Sequence, residues 1–361
     1  MNITIVAGAR PNFMKIAPII EAILEKKKDG FDINYRLVHT GQHYDKNLSG
    51  TFFEELNIPL PNSNLEVKSG TQAEQTAAIM IGFENELKQN PCDLVMVVGD
   101  VTSTMACTLV AKKAHIKVAH VEAGIRSGDM QMPEEINRIV TDSLTDYFFT
   151  TTTNAGDNLM KLGVSKSKIF FVGNVMIDTL LKNENRLKKP SLWDDLNLSK
   201  KQYMVMTLHR PSNVDEEQQL KTLITQIVSL GKDYPIVFPV HPRTKKLLSG
   251  LNLEFQNLHY VTPLGYLEFN YLVKHALAVI TDSGGITEET TVMNVPCITL
   301  RENTERPETC DIGTNILVGS DSEKIKNTFK MLLSGAWKQG EIPELWDGNA
   351  AKRIVNHLIA I

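Results

Sequence analysis

Residues 280–308, ITDSGGITEETTVMNVPCITLRENTERPE, decide the fold. An apolar strand ends at Thr281-Asp282, and a Ser283-Gly284-Gly285 turn opens a helix carrying Glu288 and Glu289. A second apolar strand, 297–300, then runs into the polar loop 301–308. Strand, small-residue turn, helix and strand in this order make a parallel α/β unit. Small residues at a helix start leave backbone N–H groups bare, and the helix dipole adds partial positive charge, which suits an anionic phosphate. A carboxylate one turn further on offers acceptors to a ribose diol, and Arg306 adds a cation. The layout is one for holding a nucleotide diphosphate.

The same grammar extends outward from this stretch. Residues 2–7 form a strand that turns at Gly8-Ala9-Arg10-Pro11, and 12–27 show helical periodicity in Phe13, Ile16, Ile19, Ile20 and Ile23. Further strands are predicted at 35–40, 94–98, 118–121, 147–150 and 169–172, with a helix at 102–113. The pattern restarts near 173–180: strands at 203–208, 236–240, 259–262, 278–281 and 297–300, and a helix at 216–230. Fully apolar strands followed by helices imply parallel sheets covered on both faces. The class is therefore α/β, with two Rossmann-like domains facing a cleft. The expected boundaries are 1–174, 175–349, and a last helix in 350–361 that crosses back to the first domain. Ligands bind outside the carboxyl ends of such strands, and those ends carry Arg10, His43, Asp100, Glu122, His209, His241 and Asp282.

Composition fits a globular enzyme. The 361 residues exceed one ordinary core, and the hydrophobic and charged fractions are 42% and 22%. A net charge of -4 gives no long-range attraction to nucleic acid or anionic lipid. Short basic runs at 26–28 and 245–246 read as solvated faces. The N-terminus is itself a strand and no apolar run approaches a membrane span. Cys92, Cys107, Cys297 and Cys310 lack metal-ligand spacing, and Cys107 and Cys297 read as small core residues, so a reducing, cytoplasmic setting is expected. No Walker or GxGxxG loop and no Ser-His-Asp order stands out.

Each candidate has an ordinary structural competitor. Arg10 at a strand end is better placed for a phosphate than for a surface ion pair. Asp100 before the 102–113 helix reads equally well as an N-cap. Glu122 ends an apolar strand beside small residues, where burial without a partner is costly. Of Glu134 and Glu135, adjacent on a helix, at most one faces a site, and favourable charge at the helix N-terminus explains both. His209 suits a phosphate or proton relay but competes with a structural histidine. Phe269 offers a base-stacking face, though an aromatic at a helix start is more often core.

Ten segments in register resemble the non-hydrolysing UDP-N-acetylglucosamine 2-epimerases. They are GARPNFMK from Gly8, GQHYD from Gly41, VVGDVTST from Val97, HVEAGIRSGD from His120 and MPEEINR from Met132. The others are GNVMIDTL from Gly173, LHRPSN from Leu208, PVHPR from Pro239, DSGGITEE from Asp282 and RENTERPE from Arg301. The resemblance implies a glycosyltransferase-B-like fold with UDP held mainly by the second domain. It also implies reversible C2 inversion of UDP-GlcNAc to UDP-ManNAc through loss and re-addition of UDP across a 2-acetamidoglucal, feeding surface polysaccharides. Asp100, Glu122, Glu134 and His209 match the family's catalytic residues. Arg10 and Lys15 match substrate contacts, Leu264 and Phe269 the base site, Ser283, Gly284 and Gly285 the diphosphate turn, Glu289 the ribose ligand, and Arg306 a further phosphate contact. No metal or cofactor is implied, and a homodimer is.

Gln42, Arg210 and His241 match a regulatory site for a second substrate molecule. Pro211, Tyr44 and Asp45 depart from the family's usual residues there, and Ser143 replaces a frequent histidine. Allosteric activation is therefore not expected. The alternatives are a 2-epimerase of UDP-2,3-diacetamido-glucuronic acid, for which Arg243 or Lys245 offers a cation to the uronate, a hydrolysing epimerase, and a UDP-sugar glycosyltransferase.

Overall fold

The computed structural model describes residues 1–41, 55–240, 248, 250 and 253–361. Gln42, His43, Tyr44, Asp45, His241, Arg243 and Lys245 lie outside these residues. The chain divides into two compact units, Met1–Lys182 with Glu344–Ile361, and Asn183–Pro343.

The first unit holds a seven-stranded sheet. Its strands are β1 (Asn2–Ala7), β2 (Asn34–His39), β3 (Ser63–Asn64), β4 (Leu94–Val98), β5 (Lys117–Val121), β6 (Tyr147–Thr150) and β7 (Ile169–Phe171). Every pairing is parallel, in the order β3-β2-β1-β4-β5-β6-β7. The helices are α1 (Arg10–Lys28), α2 (Gln72–Gln89), α3 (Thr102–Lys113), α4 (Pro133–Leu144), α5 (Thr153–Lys161) and α6 (Val175–Asn183).

The second unit carries α7 (Leu192–Asp195), β8 (Met204–Thr207), α8 (Pro211–Val214), α9 (Glu217–Leu230), β9 (Ile236–Pro239) and β10 (Leu258–Val261). It continues with α10 (Tyr266–His275), β11 (Ala278–Thr281), α11 (Gly284–Val292), β12 (Cys297–Thr299), α12 (Pro307–Asp311), β13 (Asn315–Leu317) and α13 (Ser322–Leu333). Its parallel sheet runs β10-β9-β8-β11-β12-β13. The strand order therefore reverses between β1 and β4 in one unit and between β8 and β11 in the other. These reversal points are where open α/β sheets bind ligands.

Alternation along the strands explains why the second sheet is apolar through its centre. Met204, Met206, Ile236, Phe238, Ala278, Ile280 and Ile298 face one buried cluster. Val205, Val237, Val279 and Cys297, the residues between them, face another with Tyr203 and Leu272. Both faces are covered, so the strands are apolar through their centres, and β8, β11 and β12 end in threonines. Cys107 and Cys297 are buried within such clusters, and all four cysteines are free thiols.

Contacts divide the chain at 182/183 and 343/344, not at 174/175 and 349/350. Helix α6 belongs to the first unit because Thr179 Oγ1 donates to Met14 O (2.6 Å) and Lys182 pairs with Glu21 (2.5 Å). The last helix, α14 (Ala350–Ala360), packs on α1. Asp178 accepts from the N–H groups of Ala350 (3.1 Å) and Ala351 (2.7 Å) at its start. Among the described residues, no helix is long and apolar enough to cross a membrane.

Candidate active site

In the first unit, the carboxyl ends of β1, β4 and β5 converge. Asn12 ties two of them: its Oδ1 accepts from Gly8 N (3.2 Å) and Ala9 N (2.9 Å), and its Nδ2 donates to Val98 O (2.9 Å). Arg10 is the first residue of α1. One turn on, Lys15 Nζ donates to Glu122 Oε2 at 2.6 Å, with both side chains largely withdrawn from solvent. Lys15, expected at the phosphate, is thus also the partner that a buried Glu122 requires. Glu122 adopts φ +71°, a left-handed conformation that costs a non-glycine residue about 1 kcal/mol or more. Such strain concentrates at functional sites. Beside the pair lies Gly99, at φ +70°, where an added Cβ would come within 3.2 Å of Lys15 Nζ. Glycine meets both conditions without strain.

Asp100 is not an N-cap. Val101 holds that position of α3, with no side-chain cap. The Asp100 carboxylate instead accepts from Arg138 Nε (3.0 Å) and Nη2 (2.6 Å), while Asn137 Nδ2 donates to its carbonyl (2.8 Å). The same guanidinium donates to Glu135 Oε2 at 2.6 Å. Burial pushes the Glu135 carboxyl up, but N–H groups of Ser127 and Gly128 and the Arg138 guanidinium outweigh it and hold it below the usual range. Glu135 is therefore the structural member of its pair, and Glu134, at the preceding position of α4, is half-buried.

Behind these groups sits a buried histidine. His120 Nδ1 lies 2.7 Å from Asp142 Oδ1, and its Nε2 lies 2.8 Å from Gly99 O. Asp142 also accepts from Gly124 N (3.1 Å) and pairs with Arg126 (2.7 Å). Burial opposes its ionisation, yet the charges and hydrogen bonds of His120 and Arg126 prevail and lower its pKa.

In the second unit, Thr207 and Thr281 are register partners on β8 and β11, so the residues just beyond them meet. Asp282 Oδ1 lies 2.8 Å from His209 Nδ1. Its carboxylate also accepts from His209 N (3.1 Å), Arg210 N (3.0 Å) and Asn213 Nδ2 (3.1 Å). Asp282 is fully buried: desolvation raises its pKa, but these donors more than offset that and leave it lowered. The result is an oriented imidazole whose side chain is 57% exposed. A histidine held at Nδ1 by a carboxylate presents Nε2 outward.

Ser283 is the N-cap of α11, without a side-chain cap, so the bare turn expected from Ser283-Gly284-Gly285 is present. A Cβ on Gly284 would fall 2.8 Å from Glu305 Oε1, which itself pairs with Arg301 (2.5 Å) and approaches Arg210 (3.7 Å). Arg306, expected at a phosphate, is buried and donates from Nε to Glu288. Glu289, also buried, accepts from Tyr266 Oη (2.8 Å) and Asn270 Nδ2 (3.4 Å). Burial raises the Glu289 pKa to about 7, against those two donors and with the neighbouring Glu288 adding to the rise. Leu264 and Phe269 are partly buried against the cluster around Tyr203 and Leu272.

Sequence reasoning did not find Arg138, Asp142, Tyr266 or Asn270, and gave Asp282 no role. The signal for Asp282 was legible, since an acid at a strand end beside SGG had no cap to explain it. The others depend on packing between distant segments.

A family model described as UDP-N-acetylglucosamine 2-epimerase matches residues 25–359. The chain is 42% identical over 371 residues to the UDP-N-acetylglucosamine 2-epimerase of Methanocaldococcus jannaschii, covering 99% of each. It is 36% identical over 362 residues to the UDP-2,3-diacetamido-2,3-dideoxy-D-glucuronate 2-epimerase of Pseudomonas aeruginosa, again covering 99% of each. The crystal structure of the M. jannaschii UDP-GlcNAc 2-epimerase in complex with UDP-GlcNAc and UDP superposes with a TM-score of 0.89 at 42% identity, covering 100% of both chains. A lipopolysaccharide outer core galactosyltransferase shares the fold alone, with a TM-score of 0.57 at 13% identity over 100% of this chain and 99% of its own. With agreement at this level from end to end, the chain belongs to the UDP-N-acetylglucosamine 2-epimerase family.

Proposed function

We propose that this chain interconverts UDP-N-acetylglucosamine and UDP-N-acetylmannosamine, inverting C2 by elimination and re-addition of UDP. The observation that carries this reading is the convergence of Asp100 and Glu122 at neighbouring strand ends, with Lys15 paired to Glu122. A C2 proton beside the anomeric carbon is weakly acidic, so a positioned base and a stabilised leaving group share the work. One carboxylate takes that proton as the C1–O bond breaks. The C–H electron pair becomes the C1=C2 bond of 2-acetamidoglucal, and the C1–O pair leaves on UDP. In the return step a UDP oxygen attacks C1, and a second acid delivers a proton to the other face of C2. Asp100, Glu122 and Glu134 are the groups for these transfers.

Departure of UDP places negative charge on the diphosphate. His209, held by Asp282, the N-terminus of α11 at 283–285, and Arg10 and Lys15 supply the donors. Phe269 and Leu264 meet the base and Glu289 the ribose. Arg306, paired with Glu288, is a further phosphate or cleft contact. The working form is a homodimer, and Arg210 serves the nucleotide half without a regulatory role.

Proton NMR with UDP-GlcNAc in deuterated water tests the reading. Deuterium at C2 together with UDP-ManNAc is expected. Free N-acetylmannosamine plus UDP would move the chain to hydrolytic chemistry. An unchanged spectrum with UDP still bound would shift the substrate to the diacetamido-uronate acted on by the P. aeruginosa relative.

A further inference from the structure

Glu289 is an unusual carboxylate. It is 4% exposed, and the groups acting on it are Tyr266, Asn270 and its anionic neighbour Glu288. No cation compensates it among the described residues, whereas Glu288 one position earlier has Arg306. A buried carboxylate held by neutral donors alone is costly and adds little stability. Its hydrogen bonds are also one-sided. Tyr266 Oη and Asn270 Nδ2 both donate to Oε1, and among the described residues nothing donates to Oε2. Close by, Asn270 Oδ1 is buried and accepts no hydrogen bond among the described residues. Asn270 Oδ1 is thus an unfilled buried acceptor on the residue whose Nδ2 donates to Glu289, while both donors to Glu289 go to Oε1. A vicinal cis-diol offers two neighbouring neutral O–H donors and would serve Glu289 Oε2 and Asn270 Oδ1 without adding charge.

The donors come from a single helix face. Tyr266 and Asn270 are four residues apart on α10 and so lie one above the other. Phe269 stands on the same helix, and Leu264 just before it. One short element thus carries both the proposed base contacts and the partners of Glu289.

Building on the proposed UDP site, we propose that Tyr266 and Asn270 form with Glu289 a clamp that reads the ribose diol. Tyr266 is a positioning residue: its hydroxyl occupies Oε1 and leaves Oε2 for one ribose hydroxyl. Asn270 accepts the other through Oδ1. The clamp makes the site selective for ribonucleotides, because a missing hydroxyl leaves a buried acceptor unpaired.

The test is calorimetric titration of the full chain with UDP, 2′-deoxy-UDP and 3′-deoxy-UDP. Wild type should bind UDP at least ~10-fold more tightly than either analogue, the size of a hydrogen bond to a charged group. Tyr266→Phe should weaken UDP by ~10-fold and leave the analogues within about 2-fold, so that discrimination collapses. Asn270→Leu, close in volume, should abolish discrimination against one analogue and keep it against the other. It stands in if the tyrosine variant does not fold. Glu289→Gln is the reference for the ribose reading itself. Loss of discrimination in Glu289→Gln but full retention in Tyr266→Phe and Asn270→Leu overturns the clamp and leaves the ribose site intact. Equal binding of all three ligands by wild type removes the ribose assignment with it.

Discussion

His209 and Asp282 show how little local sequence is needed once register is set. The β8–β11 pairing brings together two residues 73 positions apart, and the buried carboxylate fixes the exposed ring. Asp282→Asn should preserve UDP binding but lower kcat by ~10²-fold or more, since a misoriented histidine cannot serve the leaving diphosphate. Steady-state kinetics alongside UDP titration measures both, and an unchanged kcat would remove the histidine from the chemistry. Glu289 gives a pH prediction. Its pKa, raised to about 7 by burial, should fall when ribose hydroxyls donate to the ionised form. UDP binding then releases a proton below pH 7, so affinity rises with pH up to about 7 and levels off above it. Titrations in buffers of different ionisation enthalpy report that proton, and buffer-independent heats at pH 6 would contradict it. The proposed catalytic carboxylates should divide from the proposed nucleotide contacts: Glu122→Gln should lose ~10²-fold or more in turnover while UDP still binds.

Among the elements, α14 is held to its unit by one side chain at its N-terminus. Asp178 caps two orphan N–H groups that the helix cannot satisfy itself. Asp178→Ala should cost about 1–3 kcal/mol and speed amide exchange across 350–360 before the rest of the unit. Burial raises the Asp178 pKa to about 6 despite those hydrogen bonds. A raised folded-state pKa means the folded protein binds the extra proton. This contribution is full below about pH 4 and is lost as pH rises through 6. Melting temperatures of the alanine variant and wild type, compared from pH 4 to 7, should converge as pH rises if this linkage holds. Helix α4 shows a second logic, in which Arg138 bridges Glu135 to Asp100 and so fixes the loop that carries Asp100, a proposed catalytic acid.

For the whole molecule, the second unit is a continuous segment whose sheet is covered on both faces by its own apolar residues. Residues 183–343 expressed alone should fold and bind UDP, and should show no turnover because the proposed catalytic carboxylates are missing. A folded fragment blind to UDP would move the nucleotide contacts to the first unit. The first unit, by contrast, is discontinuous and needs α14 from the far end of the chain.

Sequence by itself determined the two parallel sheets, because strands buried on both faces must be continuously apolar, and the strand-end positions of Asp100, Glu122, His209 and Asp282. It also exposed the bare turn at 283–285, since small residues there have no local alternative role. It did not yield the short edge strands β3 and β13, at two and three residues too brief for any periodicity. Only the tertiary structure decided which carboxylates are paired. Lys15 with Glu122, Arg138 with Asp100, His120 with Asp142 and Tyr266 with Glu289 each join segments more than 20 residues apart. A buried charge is governed by its nearest donors in space, and no pattern along the chain records which those are.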